Sequence, residues 1–273
     1  MNIIDLYKEK RPIIMGIVNV TPDSFSDGGD NYSVDNAINH GLDLLEQGAD
    51  ILDIGGESTR PNADIVSVND EIRRVIPVIK GLQGIAKFIS IDTRNSLTMK
   101  TAIDAGANIV NDVSGLCHDS DSINVVADSD VPICIMHMKG NPKDMQDKPE
   151  YNNIINDICS FFDDRIRFCK QSGISQDKII LDPGIGFGKT LEHNLLILNN
   201  IQEFAQFDCK IMLGASRKSF IGAICGEKEP KKRLGGSVAT AIYGLEQGVS
   251  IFRVHDVRKT KQAFDVYNAI KTA

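Results

Sequence analysis

The chain lacks three features that mark large classes of proteins. No apolar run approaches the ~20 residues that a helix needs to cross a bilayer, so no membrane partner is expected. Its six cysteines form no Cys-x-x-Cys pair, which argues against a disulfide framework or a cysteine-bound metal. Its 30 lysines and arginines are outnumbered by 37 aspartates and glutamates, giving a net charge of −7. This acidic balance argues against a nucleic-acid-binding surface.

The first ten residues also lack the features of a secretory signal. Residues 1–10 mix Asp5, Lys8 and Glu9 with apolar side chains, without a long apolar core or a cleavage site. Several cysteines lie inside apolar runs, as buried reduced thiols do. We therefore expect a cytoplasmic protein.

What the chain does have is the composition of a globular α/β protein. Hydrophobic residues make up 42% of the sequence and charged residues 25%. A length of 273 residues is ordinary for one α/β barrel, so a single domain over residues 1–273 is predicted.

Short runs rich in isoleucine and valine recur along the chain, and most of them end at a polar residue. Runs that are apolar on both faces are typical of parallel strands covered by helices. The predicted strands are residues 12–19, 50–55, 88–92, 108–112, 132–137, 179–182, 210–214 and 250–254.

Segments with helical spacing separate these runs. Ser33 and Ser67 are predicted N-caps, the second with capping-box spacing to Asp70, and another helix is predicted after Thr190. Strand and helix therefore alternate about eight times, which predicts a (β/α)8 TIM barrel closed by right-handed crossovers. The alternative is an open doubly wound sheet, whose polar residues would cluster at one switch point.

In a barrel, the carboxyl ends of all the strands open onto one mouth, where the active site lies. Asp92, Asn111 and Asp182 are acceptors at three strand ends, and together they suit a flat heterocycle with N–H donors along one edge. Each alone has a structural alternative, as a satisfied buried hydrogen-bonding group.

A second set of residues suits an anion. Arg253 and His255 are two apart and share a face, and Asn19 on the first strand is expected beside them after closure. This set predicts a phosphate pocket, with an inward-facing structural pair as the alternative. Ser219 is a candidate cap and carboxylate ligand at the start of a short helix, with Lys218 reaching back into the mouth.

Three loops rich in glycine or polar residues follow strands. Residues 182–190 nearly match a nucleotide-binding phosphate loop, but Pro183 occupies a required glycine position and offers no N–H group. A strand-to-helix turn is therefore favoured there. Residues 21–30, with Asp23 and Asp27, and residues 55–61 are either surface turns or mobile lids over the site.

Seven segments together resemble one family, dihydropteroate synthase, in the right order over almost the whole chain. They are residues 15–29 (MGIVNVTPDSFSDGG), 53–61 (DIGGESTRP), 111–115 (NDVSG), 136–142 (MHMKGNP), 182–189 (DPGIGFGK), 216–219 (SRKS) and 253–256 (RVHD). One departure is Asn62, where the family commonly has glycine. We expect altered loop mobility there, not loss of activity.

The resemblance implies a reaction and its requirements. A (7,8-dihydropterin-6-yl)methyl diphosphate condenses with 4-aminobenzoate, giving 7,8-dihydropteroate and pyrophosphate, in the folate-synthesis step that sulfonamides target. It also implies Mg²⁺ as cofactor and a homodimer.

The resemblance assigns roles to matched residues. Asp92, Asp182 and Lys218 are the implied catalytic residues. The remaining implied contacts are Asp92, Asn111, Asp182 and Lys218 to the pterin; Asn19, Arg253 and His255 to pyrophosphate; Asn19 and Asp27 to the metal; and Thr59, Arg60, Pro61, Phe187 and Ser219 to 4-aminobenzoate. An arylamine is unprotonated at neutral pH, so no general base is expected.

Three other functions compete with this one. A pterin-binding methyltransferase barrel would have no need of an aminobenzoate pocket, and a non-catalytic pterin-binding paralogue would have lost some of Asn19, Asp27, Lys218 and Arg253. A phosphosugar isomerase would need a base at a strand end, for which only His137 is a candidate.

Overall fold

Within residues 3–9, 11–20, 30–58, 66–140, 145–147 and 149–273, which the computed structural model describes, eight parallel strands form a closed barrel. The strands follow one another around the barrel in chain order, and the last pairs with the first. They are β1 Ile13–Asn19, β2 Ile51–Gly55, β3 Ile89–Asp92, β4 Ile109–Asp112, β5 Ile133–Met136, β6 Ile179–Asp182, β7 Lys210–Leu213 and β8 Ile251–Val254. The barrel prediction is confirmed, and the open sheet is excluded.

Helices cover the outside of the barrel and one of its ends. They are α1 Ile3–Lys8, α2 Asp30–Glu46, α3 Val68–Leu82, α4 Ser96–Asp104, α5 Ser122–Ser129, α6 Ile154–Gln171, α7 Leu191–Asn199, α8 Ser219–Cys225, α9 Leu234–Glu246 and α10 Val257–Lys271. None of the helices in the described ranges has the length and apolar character that a bilayer crossing requires.

The predicted strand ends agree with the observed ends within one residue, but two predicted helix starts are wrong. Ser33 lies inside α2, which begins at Asp30. Ser219 is the first residue of α8 and not its N-cap. The N-cap of α8 is Lys218, whose backbone is extended (φ −64°, ψ 155°). By contrast, Ser67 is the N-cap of α3 as predicted, and its hydroxyl accepts the N–H of Asp70. The helix predicted after Thr190 begins at Leu191, and Thr190 is its N-cap.

Side chains alternate along each strand between the barrel interior and the helices. The outward set, including Leu52 and Ile54 of β2, packs with Val75 and Ile79 of α3 in the main core. Burying such a side chain contributes at most about 1.5–3 kcal/mol, so the strand frame is held by many similar contacts. This packing fixes the strand ends that carry the polar residues.

The inward set is apolar at the amino ends of the strands. Ile13, Ile51 and Ile251 pack there with Ile3 and Leu6 of α1, which covers this end of the barrel. The apolar filling leaves polar inward positions only toward the opposite, carboxyl end, where the predicted site lies.

Candidate active site

The carboxyl ends of five strands direct polar side chains into one mouth. These residues are Asp53 of β2, Asp92 of β3, Asn111 of β4, Asp182 of β6 and Arg253 of β8. Strand pairing aligns Asp92 with Asn111 on its neighbour, so these two acceptors are adjacent as predicted. The structure therefore brings together residues separated by up to two hundred positions in the chain.

Arg253 links two carboxylates across this mouth. Its Nε lies 2.6 Å from Oδ2 of Asp53, and its Nη2 lies 2.6 Å from Oδ2 of Asp92. Burial alone would lower the pKa of Arg253, but the charges of Asp53 and Asp92 raise it above its ordinary value. The guanidinium therefore stays charged, and it partly neutralises the two acids.

The pKa of Asp92 reflects a balance of opposing effects. Burial raises it above the ordinary value of an aspartate, and the Arg253 charge beside it acts in the opposite direction. The charge of Asp53 adds to the rise. Asp92 is thus a carboxylate whose ionisation depends on its ion pair.

Asp53 is a site residue to which the sequence analysis assigned no role. It is fully buried, and its Oδ2 also accepts a hydrogen bond from Nδ2 of Asn111 at 3.1 Å. Its Oδ1 has no hydrogen-bond partner among the described residues. The signal was present, since Asp53 ends an apolar run just as Asp92 does.

Asp182 has one oxygen engaged by its own loop. Oδ1 accepts the backbone N–H of Gly184 at 2.7 Å. Burial raises the pKa of Asp182, while the Gly184 hydrogen bond and the charges of Lys218 and Arg253 oppose the rise. Its Oδ2 lies on the side of Gly214, where the absent side chain leaves room beside the carboxylate.

Lys218 reaches back into the mouth as predicted. Its Nζ lies 4.0 Å from the centroid of the Phe187 ring, a cation–π contact. Burial lowers the pKa of Lys218 to about 8, with a further contribution from Arg253, while Asp182 and Asp92 oppose the shift. Phe187 itself is buried in a small cluster with Val113 and two methionines.

Comparison with known proteins places this mouth in a family. The model of the pterin-binding enzymes matches residues 15–255. The chain is 43% identical to the dihydropteroate synthase of Escherichia coli (strain K12) over 263 residues, covering 96% of this chain and 93% of that protein. The chain belongs to the dihydropteroate synthase family.

Solved structures agree with this assignment. The chain resembles the Xanthomonas albilineans dihydropteroate synthase with 4-aminobenzoic acid at 42% identity and a TM-score of 0.91, covering 97% of this chain and 94% of that one. It also resembles the Yersinia pestis dihydropteroate synthase in complex with a sulfonamide drug at 42% identity and a TM-score of 0.90, covering 96% and 95% of the two chains.

The register of β1 and β8 bears on the predicted phosphate pocket of Asn19, Arg253 and His255. Arg253 pairs in register with Met15, four positions before Asn19, so Arg253 and Asn19 are not neighbours across the strands. The stagger of strands in a closed barrel separates them, and Asn19 lies opposite Gly55 at the rim.

His255 lies near Arg253 but as a neutral ring. Its Nδ1 is 3.1 Å from Oγ of Ser216, which also accepts the backbone N–H of His255 at 3.2 Å. Burial, followed by the charges of Arg217 and Arg253, lowers the pKa of His255 to about 3. It can therefore offer a hydrogen bond to an anion, but no positive charge.

The remaining predicted contacts divide into two groups. Ser219 is exposed at the start of α8, two residues beyond the Arg217–Asp256 ion pair. Asp23, Asp27, Thr59, Arg60, Pro61 and Asn62 lie outside the described residues.

The loop after β6 holds the second residue that the sequence analysis missed. Lys189 is buried, and its Nζ donates to the carbonyl oxygens of His137 and Phe187 at 3.1 and 3.0 Å. A phosphate-loop lysine would have to extend toward a ligand, whereas this one is enclosed by its own loop. This contact agrees with the predicted strand-to-helix turn.

Proposed function

We propose that the mouth of this barrel makes dihydropteroate, with its buried acceptors holding the pterin while pyrophosphate departs. As a member of its family, the chain is a folate-pathway transferase that joins (7,8-dihydropterin-6-yl)methyl diphosphate to 4-aminobenzoate. The observation that supports these residue roles best is the convergence of Asp92, Asn111 and Asp182 with Lys218 in one buried mouth. The methyltransferase and the non-catalytic paralogue are disfavoured, because the curated relatives are synthases.

The pterin-binding role follows from the donors and acceptors present. A pterin ring offers N–H groups along one edge, and Asp92, Asn111 and Asp182 supply acceptor oxygens in a buried setting, where such bonds are strengthened. Lys218 supplies the cationic donor for the ring carbonyl. Its stacking on Phe187 fixes its direction.

The departing pyrophosphate requires positive charge and hydrogen-bond donors near the mouth. Arg253 supplies the charge, the neutral His255 supplies a donor, and Asn19 supplies an amide at the rim. The pterin can delocalise positive charge as the carbon–oxygen bond breaks, so the site acts by electrostatic stabilisation and orientation. The arylamine nitrogen then bonds to the carbon without help from a general base, and the protonated amine formed in this step releases its proton to water.

Mg²⁺ is the proposed cofactor, held by Asn19 and Asp27. The amide oxygen of Asn19, partly exposed at the end of β1, fits the preference of Mg²⁺ for oxygen ligands and retained water. Among the described residues no group of three histidines, cysteines or acidic residues could hold a metal, which suits a weakly liganded ion that arrives with its diphosphate. When bound, the ion would neutralise charge on the leaving group.

The aminobenzoate pocket is proposed between two loops. Phe187 and Ser219 are its proposed contacts among the described residues, and Thr59, Arg60 and Pro61 are the other residues proposed to contact 4-aminobenzoate. Ser219 is the first residue of α8 and follows the cationic Lys218, and both suit the carboxylate of the substrate.

A cytoplasmic homodimer completes the proposal. All six cysteines are free, as in a reducing compartment. Helices α7, α8 and α9 expose Leu195, Leu196, Ile224 and Tyr243, which form a candidate apolar contact for a second copy. Light scattering should give twice the mass of one chain, and replacing Leu196 and Ile224 by glutamate should halve it.

The decisive experiment is an assay for pyrophosphate release. Release should require the pterin diphosphate, 4-aminobenzoate and Mg²⁺ together, and addition of EDTA should abolish it. Release without 4-aminobenzoate would indicate a hydrolase, and full activity in EDTA would contradict the role of Mg²⁺. Pterin binding without any release would support the non-catalytic alternative.

A further inference from the structure

We infer that Lys189 is a positioning residue for the second substrate: it ties the loop after β6 to the end of β5 and thereby places the Phe187 ring at the mouth. This inference rests on the proposed function, in which Phe187 contacts 4-aminobenzoate. It concerns a residue that does not itself reach the substrates.

All three donors of the Lys189 ammonium have acceptors. Its Nζ lies 3.0 Å from Nδ1 of His137, 3.1 Å from the His137 carbonyl oxygen and 3.0 Å from the Phe187 carbonyl oxygen. Burial and the charges of Lys189 and Lys139 lower the pKa of His137 to about 2, so its ring is neutral and Nδ1 can accept. Burial lowers the pKa of Lys189 to about 7, with the charge of Asp182 opposing the shift. In its protonated form the ammonium carries three N–H donors, and each has one acceptor here.

These contacts join two separate segments of the chain. His137 directly follows β5, and Phe187 lies in the loop between β6 and α7. Lys189 therefore bridges neighbouring strand ends of the barrel, whereas a lysine with a purely local role would bond within its own loop.

The two segments are close enough that the position of the loop depends on this bridge. At Gly188 (φ +62°) a Cβ would lie 2.2 Å from the Lys139 carbonyl oxygen, and at Gly184 (φ +69°) one would lie 2.0 Å from the His137 carbonyl oxygen. Only glycine allows this approach. Since glycines contribute no side-chain contacts, the buried Lys189 adds a side-chain contact between the two backbones, beside the His137 N–H that donates to the Asp182 carbonyl and the Tyr151 hydroxyl that donates to the Gly188 carbonyl.

The bridge acts on a side chain at the mouth. The carbonyl that Lys189 holds belongs to Phe187, whose ring supports Nζ of Lys218 at 4.0 Å. Releasing this carbonyl would let the ring shift relative to Lys218. The pterin acceptors Asp92 and Asn111 belong to other strands and have no contact with Lys189 in the described structure. Pterin binding should therefore weaken less than 4-aminobenzoate binding, and mainly through the Lys218 contact.

The test is Lys189→Met, which keeps the length of the side chain and removes its donors. We expect the KM for 4-aminobenzoate to rise by ~10–100-fold, as for small misplacements near a reacting centre. The Kd of the pterin substrate, measured by calorimetry, should rise by a clearly smaller factor, because only its Lys218 contact depends on the Phe187 ring. An unchanged KM, or equal weakening of both substrates in folded protein, would overturn the inference.

Lys178→Met is the matched control. Lys178 is also a buried lysine, at the opposite end of β6, and its Nζ donates to the Asp130 carbonyl at 2.7 Å. Its loss should lower the melting temperature while leaving both KM values unchanged. If Lys178→Met raised the KM for 4-aminobenzoate as much as Lys189→Met does, the rise in KM would come from lost stability, and the inference would fail.

A double-mutant cycle tests whether Lys189 acts through the ring. If it does, Phe187→Leu should add little to the KM effect of Lys189→Met, because both changes remove the same contact. Additive effects would overturn the inference. Should Lys189→Met fail to fold, Lys189→Gln keeps polar donors and should show a smaller rise in the same KM; no rise would overturn the inference, as would failure of both variants to fold.

Wild-type turnover in the same assay separates the two proposals. An inactive wild-type protein would refute the proposed function. An active wild type with an unaffected Lys189→Met variant would refute only the role of Lys189.

Discussion

The guanidinium of Arg253 on β8 lies 2.6 Å from the carboxylate of Asp53 on β2, with β1 between the two strands. Asp53 also accepts from Asn111, so this one buried acid is bonded to a residue of the proposed phosphate site and to a residue of the proposed pterin site. Under the proposed function, the positions of the two parts of the first substrate are coupled through Asp53.

Asp53→Asn should weaken binding of the pterin diphosphate substrate. The amide removes one negative charge beside Arg253, so Asp92 is then the only carboxylate bonded to the guanidinium among the described residues. We expect the binding free energy of the substrate to weaken by ~1.5–3 kcal/mol, which is ~10–100-fold in affinity. Titration calorimetry measures the effect. Ser90→Ala is the control, because Ser90 pairs in register with Asp53 and is equally buried but its hydroxyl lacks a described partner. Equal affinities for Asp53→Asn and wild type would contradict this role.

Arg253→Ala should destabilise the fold as well as the site. It leaves Asp53 and Asp92 buried without their cation, at a cost of ~3–5 kcal/mol in the free energy of unfolding. Urea denaturation should show this loss, and adding Asp53→Asn should recover part of it. The affinity of the variant for pyrophosphate should fall far more than its affinity for the bare pterin. Equal losses for the two ligands would refute the phosphate assignment.

Asp182→Asn should keep the fold but lose pterin affinity by ~10–100-fold, because one buried acceptor becomes part donor. The Gly184 N–H can still be accepted by the amide oxygen. Asp112→Asn is the contrasting variant: Asp112 is also a buried strand-end acid, but its oxygens accept from Ser114 and Leu116. It should lose stability and retain pterin affinity, and the reverse pattern would invalidate the assignment.

Pterin affinity should fall as the pH rises through about 8, the lowered pKa of Lys218. Below this pH the ammonium is present and donates to the ring carbonyl; above it the neutral amine is a weaker donor. Calorimetry from about pH 6 to about pH 10 should show this alkaline limb in the wild type. Lys218→Met should bind more weakly at every pH and lack the limb. A limb that persists in that variant would belong to another group.

Much of the architecture was predictable because it depends on local patterns. The strands ending at Asp92, Asn111 and Asp182 are continuous apolar runs, and their boundaries follow from the first polar residue. The helix starts were less predictable. Ser219 has the residue type of a cap but not the position, since the extended backbone that begins α8 belongs to Lys218.

The role of Asp53 shows what local patterns leave out. Its sequence signal equals that of Asp92, yet its bond to Arg253 joins residues 200 positions apart. The separation of Asn19 from Arg253 was missed for a related reason, because strand stagger is a property of the closed barrel and has no signature in either strand.

The strands, the barrel and the types of polar group at the strand ends can be read from the order of residues, since hydrophobic periodicity and residue chemistry are local. Which of these groups bond to one another, which are neutral and which hold a loop in place depends on the folded chain. Those properties arise from burial and from contacts between distant residues. The enclosure of Lys189 and the neutrality of His255 are therefore facts of the folded protein alone.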